Sequence, residues 1–142
     1  MEKNIVAKIS VNINAPASKV WKCITDVDMI KEYLFGTKVH TDWKVGSPIT
    51  YSGEWSGKSY QDKGIILQII PEKIFESTYW SSMSDLEDKP ENYNKVTYEL
   101  EDNNGITTLS LTQDNNKDEE SKKHSEENWT LVLDAIKKMV ER

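Results

Sequence analysis

The sequence predicts an α+β fold in which one curved antiparallel sheet of about seven strands wraps around a long C-terminal helix, with two short helices after the first strand. Three observations predict it. Ile5, Ala7, Ile9, Val11 and Ile13 alternate with Val6, Lys8, Ser10, Asn12 and Asn14, the period of two expected of a strand with one buried face. From Thr37 to Asp114 further alternating stretches recur between turn residues. Trp129, Val132, Leu133, Ile136, Met139 and Val140 then fall at i, i+3, i+4, i+7, i+10 and i+11, the apolar stripe of an amphipathic helix.

The elements follow in order. After the opening strand, Asn14-Ala15-Pro16 supplies a capping side chain and a proline for the first turn of a short helix whose buried side carries Val20, Trp21 and Ile24. Asp26 caps a second short helix with Met29, Ile30, Tyr33 and Leu34, and Gly36 ends it. A strand from Lys38 to Trp43 breaks at Val45-Gly46-Ser47-Pro48. Ile49, Tyr51, Gly53 and Trp55 share one face of the next strand, Ser56-Gly57 turns it, and Tyr60 to Ile70 forms a long strand ended by Pro71. Within it Ile65, Leu67 and Ile69 oppose Ile66 and Ile70, so alternation alone leaves the buried face open. Ile74 to Ser81 is the next strand, and Ser82 to Tyr93 a polar loop. Val96, Tyr98 and Leu100 then lead through Asn103-Asn104-Gly105, the clearest hairpin signal in the chain, to a strand carrying Leu109 and Leu111. A charged lead-in precedes the last helix, which the spacing places from near Ser121 to near Glu141, roughly 30 Å at 1.5 Å per residue.

Composition excludes several function classes. The 142 residues suit one domain spanning 1–142, and five Trp, six Tyr and two Phe are too many aromatics for a disordered chain. A formal charge of −6 has the wrong sign for attracting a phosphate backbone, so nucleic acid is not an expected partner. No apolar run has the length of a signal peptide or membrane span, and the expectation is a soluble, cytoplasmic protein without membrane insertion. Cys23 stands alone, which removes internal disulfides and multi-cysteine metal sites. His40 and His124 have no metal-ligand spacing and read as surface residues, so no metal or cofactor is expected. No nucleophile elbow, phosphate loop or dinucleotide fingerprint occurs. Glu54 and Glu76 lie in strands beside aromatics, but alternation turns Glu54 outward, and no catalytic acid–base pair is visible.

The order of these elements, with Ile13-Asn14-Ala15-Pro16, Val20-Trp21, Ile24-Thr25, Trp43-Lys44-Val45-Gly46-Ser47-Pro48-Ile49, Gly64-Ile65-Ile66-Leu67-Gln68-Ile69 with Pro71, and Trp129 with Val132-Leu133 and Ile136, resembles the START-like helix-grip (SRPBCC) superfamily. Within it the chain is similar to the AHSA-type branch, named after the activator of the heat-shock-protein ATPase. The resemblance covers nearly the whole chain and implies a helix gripped by the sheet over an internal cavity. In relatives such a cavity takes lipids, polyketides or flavonoid-like molecules; the branch name also implies a chaperone partner and a stress-response role. Asn128 stands where relatives often have Gly, Gln68 where an acidic residue is frequent, and Tyr33 where the second helix often ends in Trp.

The residues themselves indicate where a ligand would sit. Tyr51 and Trp55 share a strand face, Tyr98 is mid-strand and Trp129 begins the helical stripe, so the four can meet inside the trough with Leu109, Leu111, Leu133 and Ile136. The Tyr51 and Tyr98 hydroxyls and Gln113 add the few polar groups that ligand sites carry among apolar walls. The expected function is therefore non-enzymatic binding of a small hydrophobic or aromatic molecule by these nine residues. The alternatives are a chaperone-interacting module and, third, a cyclase or dehydratase.

Overall fold

The computed structural model describes residues 5–55, 57–82 and 86–142, with Trp55 described by its backbone alone. The elements are β1 (Ile5–Ile13), α1 (Ala17–Ile24), α2 (Val27–Tyr33), β2 (Lys38–His40), β3 (Pro48–Trp55), β4 (Lys58–Ile70), β5 (Ile74–Tyr79), β6 (Asn94–Asn103), β7 (Ile106–Asn116) and α3 (Glu119–Glu141), with a 3-10 turn at Pro90–Asn92. The seven strands form one sheet in the order β1-β7-β6-β5-β4-β3-β2, every neighbouring pair antiparallel. This is the α+β helix-grip architecture that the pattern predicts.

Local chemistry explains the boundaries. Asn103 pairs with Ile106 across Asn104 and Gly105, whose φ angles of 57° and 89° are those of the tight turn that matches strand twist. The Asp26 carboxylate accepts the Asp28 and Met29 N–H groups at 2.9 and 3.2 Å and starts α2. Asp118 accepts the Ser121 N–H at 2.8 Å and starts α3 two residues earlier than the apolar stripe indicates, because the first turn is polar.

Two expectations need correction. Asn14 does not cap α1; the Ala17 N–H is taken by Asp102 Oδ2 at 3.0 Å, from the far end of β6, so a tertiary contact replaces the local cap. The strand expected from Lys38 to Trp43 ends at His40. Beyond it the Thr41 hydroxyl and the Asp42 carboxylate accept the Trp43 and Lys44 N–H groups at 3.4 and 3.2 Å, and Trp43 has φ 60°. Side chains there satisfy the backbone in place of a sheet neighbour. Of the Ser56-Gly57 turn, Ser56 lies outside the described residues, as do Met83 to Asp85 of the polar loop.

The ambiguous stretch of β4 resolves with Ile66 buried and Ile65 and Leu67 outward, and a register irregularity between Ile66 and Gln68 changes the phase for Ile69. The main core lies where α3 crosses β1 and β7: Val132, Leu133, Ile136 and Val140 meet Ile13, Leu109 and Leu111, closed off by Val20 and Ile24 of α1. α3 therefore covers one side of the sheet, and the inner face of β3 to β6 is left partly uncovered opposite its first half.

Candidate functional site

In that uncovered space lies an open cavity of about 590 Å³. Leu34 and Thr37 after α2 form one wall, and Ser125, Asn128 and Trp129 of α3 form another. The floor is the inner face of the sheet: Tyr51 from β3, Tyr60 and Asp62 from β4, Ser77 and Tyr79 from β5, Val96 and Tyr98 from β6, and Gln113 from β7. The sheet register brings these side chains together. Tyr51 is opposite Asp62, Ser77 opposite Val96, and Val96 opposite Gln113. Residues two apart on each strand repeat the inward direction.

The aromatic rings are held by one another. Tyr51 meets Tyr79 edge to face with centroids 5.6 Å apart, Tyr98 stacks on Phe75 at 6.2 Å, and Trp129 stands at 88° to Tyr98 at 6.2 Å. The Trp129 Nε1–H donates to Gln113 Oε1 at 2.6 Å, which fixes the indole over the cavity. Gln113 Nε2 in turn donates to Asn116 Oδ1 and Ser125 Oγ, each at 3.4 Å. Gln113 is thus largely occupied in orienting Trp129.

The second polar centre is Asp62, only 6% exposed. Its Oδ2 accepts the Tyr79 hydroxyl at 2.5 Å and its Oδ1 accepts the Ser82 N–H at 3.1 Å. The Thr37 and Tyr60 hydroxyls are 2.6 Å apart at the edge of the same wall. Burial, more than any neighbour, raises the phenol pKa values. Tyr51 is pushed up to about 12 by burial, with Ser77 opposing the shift and the Asp62 charge adding to it. Tyr79 is raised by burial and then by its bond to Asp62, and Tyr98 by burial and then by Tyr51. All three keep their protons at neutral pH and face the cavity as neutral hydroxyls.

Of the nine residues expected to bind a ligand, the fold brings Tyr51, Tyr98, Gln113 and Trp129 onto the cavity wall. Leu109, Leu111, Leu133 and Ile136 share the same inner faces but are packed into the core between α3 and β7, at most 1% exposed, away from the cavity. The Trp55 side chain lies outside the described residues. Sequence reasoning missed Asp62, Tyr60, Ser77 and Tyr79, and with them a carboxylate–phenol pair. The signal was present: a turn placing Trp55 opposite Lys58 necessarily places Tyr51 opposite Asp62. A charged residue in a strand is ordinarily read as outward. Glu54 is exposed, and Glu76 accepts the Thr97 hydroxyl at 2.8 Å outside the cavity.

His40 and His124 are exposed, and no group of three or more potential metal-ligating side chains occurs among the described residues. Cys23 is buried in α1, its thiol pushed up to about 11 chiefly by burial and then by the Glu32 and Asp26 charges, so it is a weak nucleophile. Among the described residues no helix is long and apolar enough to cross a membrane.

A family model described as Activator of Hsp90 ATPase homolog 1-like protein matches residues 14–141. Searched against curated proteins, the chain has no match. Among solved structures it is similar to ChR145 from Cytophaga hutchinsonii, with 45% identity, a TM-score of 0.88, and coverage of 99% of this chain and 97% of that one. The Aha1 dimer from Colwellia psychrerythraea matches with 18% identity, a TM-score of 0.74 and coverage of 96% of each chain. CalU16 from Micromonospora echinospora matches with 18% identity, a TM-score of 0.72, and coverage of 97% of this chain and 85% of that one. The last two likenesses are likenesses of fold.

Proposed function

The chain belongs to the Activator of Hsp90 ATPase homolog 1-like family, and from that premise we propose that it binds a small hydrophobic or aromatic molecule in the cavity between α3 and the sheet, without transforming it. The observation that carries this reading is the space itself: Tyr51, Tyr79, Tyr98 and Trp129 surround about 590 Å³ rather than filling it. Sites for small organic ligands span about 300 to 1,000 Å³ and combine apolar walls with a few fixed polar groups. A flat ring system of polyketide or flavonoid type matches walls made of ring faces and edges. Burial of its apolar surface at about 25 cal/mol per Å² supplies the attraction, and micromolar affinity, about −8 kcal/mol, is the expected scale.

The test is a titration followed by two-dimensional NMR with flavonoids, fused-ring aromatics and fatty acids. Ligands in the cavity shift the Trp129 indole proton and the amides of Tyr98 and Ser77 while those around His40 stay in place. A panel that moves none of the cavity signals ends this reading.

A second reading, chaperone interaction, draws on the family's description and on Ile65, Leu67 and Ile70, which leave 39 to 48% of their surface exposed along β4. Stimulation of an Hsp90 ATPase that is lost in Ile65→Ser/Leu67→Ser, together with a silent ligand panel, would replace the first reading by the second.

A further inference from the structure

We propose that the cavity selects ligands carrying a protonated nitrogen, seated against the Asp62 carboxylate and the surrounding ring faces. The inference rests on the cavity being a binding site and specifies the charge of what binds there. Among the described residues Asp62 is the one carboxylate on the wall, and no Lys, Arg or His lines it. Among the described residues no cation forms an ion pair with Asp62; the adjacent Lys63 turns to the other face, where its Nζ is 2.5 Å from Asp88. A carboxylate offers about four acceptor positions. Tyr79 and Ser82 supply two donors. The remaining acceptor capacity belongs to a group that lines the cavity.

A buried carboxylate without a counter-charge is unfavourable, and an incoming ammonium relieves it by a charge-assisted hydrogen bond. The rings add to the selection. Tyr51 and Tyr79 stand beside Asp62, and Tyr98 on the same floor and Trp129 on the α3 wall complete the ring lining. Aromatic faces attract cations and do nothing comparable for anions. The Tyr98 hydroxyl, for which no hydrogen bond to a described residue exists, can accept from an ammonium as readily as it donates. A fatty-acid carboxylate in the same place would meet Asp62 as a like charge in a partly desolvated site. The net charge of −6 favours the approach of cations over anions as well.

Three probes with one naphthalene body separate the possibilities: 2-(2-naphthyl)ethylamine, 2-(2-naphthyl)ethanol and 2-naphthylacetate, titrated at pH 7 by calorimetry and by the Trp129 indole signal. The expected order is amine tightest, alcohol about tenfold weaker, as for loss of one charge-assisted contact, and carboxylate weakest. In Asp62→Asn, which keeps an acceptor for Tyr79, the amine loses its advantage and the alcohol binds as before. Equal binding of amine and carboxylate, or an amine preference unchanged in Asp62→Asn, overturns the inference while leaving the cavity a binding site. Failure of all three probes overturns both. The wild-type series decides the charge preference by itself should the variant not fold.

Discussion

Two glycines on neighbouring strands of the cavity wall offer a controlled comparison, because the same Gly→Ala substitution meets a side-chain tip at one and a backbone at the other. At Gly53 an added Cβ would be 2.6 Å from Tyr60 Oη and 2.9 Å from Cζ. Tyr60 is long and half-buried and swings away at the expense of its contact with the Thr37 hydroxyl at 2.6 Å. One hydrogen bond is worth about 1 kcal/mol, partly offset by the lower entropy of an unfolded chain with Ala in place of Gly. At Gly64 the Cβ would be 1.7 Å from the Thr78 carbonyl oxygen and 2.5 Å from its carbon. Real Cβ atoms keep about 3 Å from such atoms, so β4 and β5 must part by more than about 1 Å. That displacement breaks the bond from the Ile65 N–H to the Thr78 hydroxyl at 2.8 Å and the reciprocal Lys63–Trp80 backbone pair at 3.0 and 2.8 Å. Three hydrogen bonds at about 1 kcal/mol each, with strain added, give about 3 to 5 kcal/mol. Against a total stability of about 5 to 15 kcal/mol, that approaches unfolding. Urea denaturation followed by tryptophan emission measures both. Gly53→Ala is expected within about 1 kcal/mol of the parent, with altered ligand affinity. A Gly64→Ala protein within about 1 kcal/mol of the parent would refute the close strand approach.

Leu133 is 1% exposed at the centre of the α3 stripe, and Leu133→Ala is expected to lose about 2 to 5 kcal/mol in the same assay; a loss below about 1 kcal/mol would remove that stripe from the core. The Cys23 thiol, raised from 9.0 to about 11 in the folded state, holds its proton longer than in the unfolded chain. Its contribution to stability is therefore complete below pH 9 and declines as pH rises from there towards 11. Alkylation at pH 8 should consequently follow unfolding, and rapid labelling of the native protein would contradict the burial. Asp102 is held below 3.8 by the Ala17 and Gly105 N–H groups, and Glu141 below 4.5 by the Asn14 N–H and Lys137. Both stabilise the fold above their unfolded values and stop doing so as pH falls through the lowered ones. The melting temperature should drop on acidification below those values, less steeply in Asp102→Asn; an unchanged slope in that variant would exclude the α1 contact as a cause.

Much of the fold was readable because it is written in local periodicity. The alternation of β1, the Asn104-Gly105 turn and the stripe from Trp129 to Val140 each determine an element without reference to the rest. What resisted reading was tertiary. Asp102 reaches α1 from the far end of β6, and no spacing rule links positions 85 apart in sequence. Trp43 adopts a left-handed conformation where the Thr41 hydroxyl accepts its own N–H and the Asp42 carboxylate that of Lys44, a competition that apolar patterning does not register. The candidate site divides in the same way. Tyr51, Tyr98 and Trp129 are legible as inward aromatics. Leu109, Leu111, Leu133 and Ile136 are inward too, yet pattern tells face from face and not cavity from core along one face. Asp62 was hidden by its own charge until the Tyr51–Asp62 register turned it inward.

That register also explains why the space stays open. The apolar stripe of α3 begins at Trp129; one turn earlier its cavity-facing residue is Ser125, a small polar side chain engaged with Gln113 and Asn116 of β7. Longer side chains or a tilt of α3 could close the gap in principle, and burying the exposed tyrosine faces would reward it at about 25 cal/mol per Å². Collapse would, however, seal Asp62 among rings with two hydrogen bonds and no cation, and stranding a charge in this way costs several kcal/mol. The Tyr98 hydroxyl, without a hydrogen bond to a described residue, would be sealed with it, a further penalty of about 1 to 3 kcal/mol. Area gained by filling is thus offset by polar groups that must stay wet or be met by a ligand. The residues that would give a ligand its orientation are the same ones that prevent the core from extending through the cavity.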